Sequence, residues 1–254
     1  MKKITVARSW NELNDFQLQE IANLYLNTPP EEFEKAYFQM ILILFRKGKG
    51  FFAGLKFRWI INQLPISALE PFAKFLLEKT DYYKFPKIKG LIEPVERLQN
   101  ITVKQFSTID LFFHQYETQK SEISLKRFVA TLYRMQENFD ELDLPNVARR
   151  TDKLSLKKMQ IIALAYKFTR LYIYNRFPVV FPKPKPNEEE KIKPTFQSKQ
   201  PNYVSFDKII IGLSMDELQP LGKKQDINQV RIYEFLGVLS ESILYHKEKA
   251  KAYN

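Results

Sequence analysis

Residues 155–176 read SLKKMQIIALAYKFTRLYIYNR, and this stretch decides the predicted fold. Apolar side chains cover most sides of the helix that it would form: Met159, Ile162, Ala163, Tyr166, Phe168, Leu171 and Tyr172. Such a helix needs neighbours all round, because a surface helix buries only one apolar stripe. We therefore predict that residues 155–176 form the central helix of a helical bundle.

Two other stretches place apolar residues three and four positions apart, which is the spacing of one helix face. The first follows Thr28 and contains Phe33, Tyr37, Met40, Ile41 and Leu44. The second follows Thr102 and contains Phe106, Ile109, Phe112, Phe113 and Tyr116. Both stretches are expected to be helical.

Capping boxes mark the expected helix starts. In a capping box a polar side chain accepts a first-turn N–H, and a Glu or Gln three residues later reaches back. The pattern begins at Asn14, Thr28, Ser67, Thr102 and Asp226. With the apolar series, it predicts helices at 14–26, 30–46, 67–79, 103–119, 124–134, 155–176 and 227–250. Short strands are candidates at 4–6 and 57–61.

Composition changes abruptly after Phe177. Of the 14 prolines in the chain, the stretch that follows holds Pro178, Pro182, Pro184, Pro186, Pro194 and Pro201. Proline removes helical hydrogen-bond donors and favours an extended chain. The predicted fold is therefore mainly α, with a helical-bundle main domain at 1–177, a Pro-rich linker or arm at 178–202 and a small C-terminal helical segment at 203–254.

The C-terminal segment is too short to form a large core of its own. Its apolar residues nevertheless recur with helical spacing and should be buried. They include Phe206, Ile210, Leu236 and Leu239. We therefore expect it to dock on the main body, on a second copy of the chain or on another protein.

Composition also excludes several classes of protein. The 254 residues include no cysteine, which rules out disulfides, thiolate metal sites and thiol nucleophiles and fits a reducing compartment. No apolar run approaches the roughly 20 residues that span a bilayer, and no signal-peptide pattern follows Met1. We expect a soluble, cytoplasmic protein that does not insert into a membrane.

The formal net charge of +11 favours polyanions, acidic proteins and anionic surfaces alike as partners. Residues 45–58, FRKGKGFFAGLKFR, mix cations with aromatic rings, as proteins that bind single-stranded nucleic acid do. The alternatives are a basic loop whose Phe residues return to the core, and a segment on a membrane surface. The candidate polyanion-binding residues are Arg46, Lys47, Lys49, Lys56 and Arg58.

The residues offer no familiar catalytic pattern. His114 and His246 are the two histidines, and they have no metal-ligand spacing between them. An acidic cluster either binds Mg²⁺, as in a divergent nuclease, or consists of solvated loop charges that pair with Arg149 and Arg150. Its members are Glu137, Asp140, Glu141 and Asp143. We assign no catalytic, cofactor-binding or metal-binding residue, expect no cofactor and predict that the chain is not an enzyme.

Four segments resemble an uncharacterised family of proteins from phages and prophages of the Bacteroidota, whose genes lie among virion genes. These segments are SWNEL at 9–13, NITxxQF at 100–106, FVAxLYR at 128–134 and FPVVF at 177–181, where x marks a position that the resemblance leaves open. The resemblance covers roughly residues 9–181. It implies a phage structural or morphogenetic protein that is similar to a tail-assembly chaperone, and it transfers no functional residue.

Taken with the resemblance, these features predict a non-enzymatic phage structural or assembly protein that acts through protein–protein contacts. Its expected partners are other phage structural proteins, with nucleic acid and a second copy of the chain as further candidates. Its expected location is the cytosol of the bacterial host, with incorporation into the virion as a further candidate. The alternative is a basic nucleic-acid-binding protein that uses residues 45–58.

Overall fold

The computed structural model describes residues 6–46, 48, 50, 58, 65–182, 205–216 and 220–252. It confirms the mainly α fold. The helices are α1 Asp15–Asn27, α2 Phe33–Leu44, α3 Ile66–Ala73, α4 Phe75–Glu78, α5 Val103–Gln119, α6 Glu122–Leu132, α7 Leu144–Thr151, α8 Leu156–Arg176, α9 Phe206–Ser214, α10 Lys224–Gln229 and α11 Ile232–Ala252.

No strand forms within the described ranges, where β pairing is limited to isolated bridges from Ile92 to Arg134 and from Thr102 to Arg231. Of the candidate strands, 4–6 and 57–61, all residues except Val6 and Arg58 lie outside the described part of the chain. None of the helices in the described ranges is long and apolar enough to cross a membrane.

The central position of α8 follows from its apolar surface. It packs against α1 on one side and α6 on another. Phe168 meets Trp10 with ring centres 5.0 Å apart, and Tyr166 meets Phe113 at 4.8 Å. These edge-to-face aromatic contacts bury large rings on opposite sides of one helix. The predicted central helix is therefore confirmed.

Local hydrogen bonds decide where helices start at two of the predicted boxes. The box at Asn14 forms completely, since Gln17 N donates to Asn14 Oδ1 at 3.0 Å and Asn14 N donates to Gln17 Oε1 at 3.1 Å. At Thr102 only one half forms, with Gln105 N 3.4 Å from Thr102 Oγ1. The Gln105 amide donates instead to Thr131 O at 3.0 Å, because its buried side chain faces α6.

The other three predicted boxes are wrong. Thr28 ends α1, with its N–H bonded to Leu24 O, and Pro30 then begins a short 3₁₀ turn before α2. Helix α3 starts one residue before Ser67, directly after Pro65. Asp226 lies inside α10, where its carboxylate accepts the N–H of Lys223 at 3.1 Å.

Long-range hydrogen bonds divide the helix predicted at 227–250. Val103 N donates to Val230 O at 2.9 Å, and Ile232 N donates to Ile101 O at 3.0 Å. These backbone groups therefore pair with the start of α5 instead of continuing one helix, and the chain forms α10 and α11 separately. The helix predicted at 67–79 is likewise divided, at Lys74 between α3 and α4.

Two short helices lie outside the predicted ranges. Helix α7 follows the acidic cluster, with Pro145 in its first turn and Val147 and Thr151 buried. Helix α9 buries Phe206 and Ile210. Neither helix is long enough to show a clear period.

The C-terminal helices pack on the main body. Phe206 meets Phe106 of α5 at 5.0 Å and Phe235 of α11 at 5.9 Å between ring centres. The ring centres of Phe181 and Phe206 lie 6.3 Å apart. The described residues on either side of 183–204 are therefore close together in the fold. Most of the predicted linker, residues 183–202, lies outside the described ranges.

Candidate functional site

The structure describes only two of the predicted polyanion-binding residues. Arg46 Nε donates to Gly48 O at 2.9 Å, and its guanidinium lies 5.7 Å from the centre of the Phe16 ring. Arg58 is exposed. The remaining candidates, Lys47, Lys49 and Lys56, lie outside the described residues, so this polyanion site stays a prediction.

Carboxylates of the acidic cluster have local partners. Asp140 Oδ1 accepts the N–H of Leu142 at 2.9 Å and caps a 3₁₀ turn. Asp143 accepts a hydrogen bond from Gln136 at 3.2 Å. Within the ranges that the structure describes, no three His, Asp or Glu side chains are grouped so that they could hold a metal ion.

The histidines lie on different helices. His114 is half-buried on α5, whereas His246 is exposed near the end of α11. His246 Nε2 lies 2.8 Å from Asp216 Oδ2, which ties α11 to the turn after α9. The structure therefore does not bring the two histidines into one site.

A network of ionic groups joins α5 to α8 inside the bundle. Arg170 Nε lies 2.6 Å from Asp110 Oδ1, and the Tyr166 hydroxyl donates to the same oxygen at 3.2 Å. Lys167 pairs with Glu117 at 2.9 Å. The side chains of Arg170 and Asp110 are 6% and 3% exposed, so this pair is closed to a ligand and holds the two helices together.

Burial and charge together set the pKa values in this network. Burial raises the pKa of Tyr166 well above its usual value. Burial lowers the pKa of Arg170, but Asp110 and the neighbouring phenols and Glu117 raise it by more, so the net shift is upward. Both residues therefore keep their ordinary protonation states at neutral pH, which supports a structural role.

The α6–α7 groove is an apolar depression between α6 and α7, with a volume of about 360 Å³. Its lining includes apolar residues from three helices: Phe112, Ile123, Ala130, Leu144, Pro145 and Ala148. Ile123 is 65% exposed. Clustered exposed apolar side chains are typical of interaction surfaces, because leaving them in water is unfavourable.

A polar cleft continues this groove and shares Phe112 and Leu144 with it. The cleft has a volume of about 480 Å³ and lies among α5, α7, α9 and α10. Lys104 and Glu141 both line the cleft, and Lys104 Nζ lies 3.8 Å from Glu141 Oε1. An apolar groove bordered by polar groups suits a partner with one apolar face and polar flanks.

The edge of the groove on α6 carries charges of both signs. Lys126 pairs with Glu122 at 2.6 Å, whereas Arg127 is exposed and also lines the groove. Asp152 is the acidic residue of the lining. Because Lys126 is paired, the positive charge that favours acidic residues here comes from the exposed Arg127 and from the chain's net charge of +11.

A second cluster, the arginine–tyrosine cluster, consists of Tyr83, Arg97, Tyr172, Arg176 and Tyr233. The Arg97 guanidinium lies 4.6 Å from the centre of the Tyr172 ring and 5.0 Å from that of Tyr83. Arg176 lies 5.4 Å from the centre of the Tyr233 ring. The sequence does not predict this cluster, because its members come from four separate segments.

Comparisons with known proteins were negative at every level. No protein-family model matches the chain, no curated protein matches its sequence and no solved structure matches its fold.

Proposed function

We propose that this chain is a non-enzymatic assembly protein that binds a structural protein of a phage particle. The α6–α7 groove is the observation that carries the proposal. Its occupant is an amphipathic helix of that partner, with acidic residues beside its apolar face. The role resembles that of a tail-assembly chaperone, which binds virion proteins before they assemble.

The apolar lining supports a helix as the occupant. Phe112, Leu144 and Ala148 line the groove, and Ile123 projects beside them with most of its side chain exposed. Burial of apolar surface contributes about 25 cal/mol per Å². Amphipathic helices bind such grooves with side chains one turn apart.

Charge supports an acidic partner. Arg127 on the edge of the groove and the net charge of +11 would attract acidic side chains and accelerate association. The resemblance of residues 9–181 to proteins encoded among virion genes supports a phage structural protein as that partner. The proposed place of action is the host cytosol, followed by release from the particle or incorporation into it.

Capture of purified virion proteins encoded beside this gene tests the proposal. Ile123→Asp places a charge in the groove, and because Ile123 is largely exposed the fold should be unaffected. We expect the wild type to capture a tail or capsid protein and Ile123→Asp to lose most of that binding. Leu244→Asp, which changes an exposed apolar residue of α11, is the matched control and should bind normally.

Three outcomes would contradict the proposal. Failure of the wild type to bind any of these virion proteins would remove the assembly function. Equal binding by Ile123→Asp and the wild type would remove the groove as the site. A dimer of this chain that Ile123→Asp dissociates would assign the groove to a second copy.

A further inference from the structure

Two arginines contact the same tyrosine, Tyr172, in the arginine–tyrosine cluster. Arg176 Nη1 donates to the Tyr172 hydroxyl at 3.1 Å, while the Arg97 guanidinium lies over the ring of the same tyrosine. The hydrogen bond from Arg176 lowers the pKa of Tyr172, and both nearby cations lower it further. The hydroxyl therefore lies in a region of positive potential.

Few carboxylates offset this charge. Glu96 lies 3.7 Å from Arg97 Nε, and its own side chain is largely exposed. Among the residues that the structure describes, no carboxylate forms an ion pair with Arg176. Like charges that are held near each other repel, so an anion between the two guanidiniums would be stabilised.

The backbone holds Arg97 in an unusual conformation. Arg97 and Leu98 have φ values of +58° and +62°, which residues other than glycine rarely adopt. The Tyr233 hydroxyl donates to Arg97 O at 2.7 Å and holds the turn from α11. Strained backbone persists where its surroundings fix it, and it is concentrated at functional sites.

The two cations are also accessible. The Arg97 side chain is 39% exposed, and Arg176 is exposed at the end of α8. Aromatic rings already fix both guanidiniums, so a ligand would restrict them little on binding. Lys84, the residue after Tyr83, is exposed and adds positive charge nearby.

We propose that Arg97 and Arg176 together bind a phosphate group, with the Tyr172 hydroxyl as a third contact. A guanidinium presents paired N–H donors that match two oxygens of one phosphate. A tetrahedral phosphate has enough oxygens to meet both guanidiniums and the hydroxyl at once, whereas a carboxylate has only two. This inference goes beyond the proposed protein-binding function and uses none of the groove residues.

Calorimetric titration with inorganic phosphate at constant ionic strength tests the site. The wild type should bind saturably, and Arg97→Gln and Arg176→Gln should each weaken binding at least about tenfold, because each removes charge-assisted hydrogen bonds. Arg176→Lys keeps the charge but loses the paired donors and should also bind less tightly. Arg149→Gln, at an exposed position in the last turn of α7, is the matched control and should bind normally.

A second titration, with a single-stranded oligothymidine, identifies the source of the phosphate. If the site takes a nucleic-acid backbone, the oligonucleotide should bind more tightly than inorganic phosphate, in a salt-dependent way, and Arg176→Lys should weaken it. If only inorganic phosphate binds, the site takes an isolated phosphate group.

Other results would overturn the inference. They are no binding of either ligand by the wild type, wild-type affinity in a folded Arg97→Gln or Arg176→Lys variant, or equally tight binding of polyglutamate. The unfolding midpoint of each variant, measured in a chloride buffer without phosphate, checks that the variant is folded. If Arg97→Gln and Arg176→Gln lose phosphate binding but still capture virion proteins, the phosphate site acts independently of the groove.

Discussion

Arg170 of α8 and Asp110 of α5 form an ion pair in the interior of the bundle, with Nε 2.6 Å from Oδ1. Tyr166 donates to the same carboxylate, and the Arg170 guanidinium also lies 4.9 Å from the centre of the Tyr174 ring. Glu117 Oε2 lies 3.9 Å from Arg170 Nη1, so Asp110 is the closer of two carboxylates that stabilise this guanidinium. Removal of one partner leaves the other charged and buried, which is the costly case for an interior ion pair.

Asp110→Ala is therefore expected to reduce the free energy of unfolding by about 3–5 kcal/mol. Urea denaturation followed by circular dichroism measures the change. Glu122→Ala, which breaks the exposed pair with Lys126, is the control and should leave stability nearly unchanged. A similarly small loss for Asp110→Ala would mean that Arg170 finds another partner or becomes solvated.

The lowered pKa of Glu117 should make the free energy of unfolding depend on pH. Burial raises the pKa of Glu117, but Lys167, Arg170 and Lys120 together lower it by more, so the net value lies below 4.5. A carboxyl whose pKa is lower in the folded state stabilises the fold above the unfolded-state pKa and loses that contribution as the pH falls. We therefore expect the free energy of unfolding to fall as the pH drops through about 4.5 and below.

Urea denaturation from about pH 6 to about pH 3 measures this dependence. Glu117→Gln cannot titrate at this position, so its stability should fall less steeply than that of the wild type. Identical pH profiles for the two proteins would show that other carboxyl groups cause the loss.

Phe206→Ala tests the attachment of the C-terminal helices. Phe206 is buried against Phe106 and Phe235, so truncation leaves a cavity between α9 and α5 and should cost about 3–5 kcal/mol. Hydrogen exchange should accelerate more in α10 and α11 than in α8. Uniform acceleration throughout the chain would show instead that all the helices unfold as one unit.

Trp10 tests the contact between the N-terminal segment and the bundle. Its ring is fully buried between Tyr25 and Phe168, and Nε1 donates to Lys79 O at 2.7 Å. Trp10→Ala should cost about 3–5 kcal/mol in thermal or urea denaturation. Trp10→Phe keeps much of the packing but removes the donor, so its loss should be smaller. Equal losses would show that the hydrogen bond outweighs the packing.

Local patterns account for what the sequence predicts well. The all-round apolarity of 155–176 identifies the central helix, because burial of that surface does not depend on which helices surround it. The Asn14 box forms as predicted because all its donors and acceptors lie within four residues. Both features are complete within one short stretch of chain.

Features made by distant segments escape prediction. The N–H of Val103 and the C=O of Val230 bond to each other across the fold, so the pattern around Asp226 cannot reveal that α10 and α11 are separate. The same holds for Tyr83, Arg97 and Arg176, which approach one another only after folding. The α6–α7 groove depends on α7, a helix too short to show a period.

Phe181 and Phe206, whose ring centres lie 6.3 Å apart, bring the two borders of residues 183–204 together. The free energy of closing such a connection rises only slowly with its length, by about 0.6 kcal/mol for each doubling. The chain should therefore accept an inserted epitope or a grafted domain between these borders while its helices keep their arrangement. This point is therefore a natural attachment position for a reporter domain.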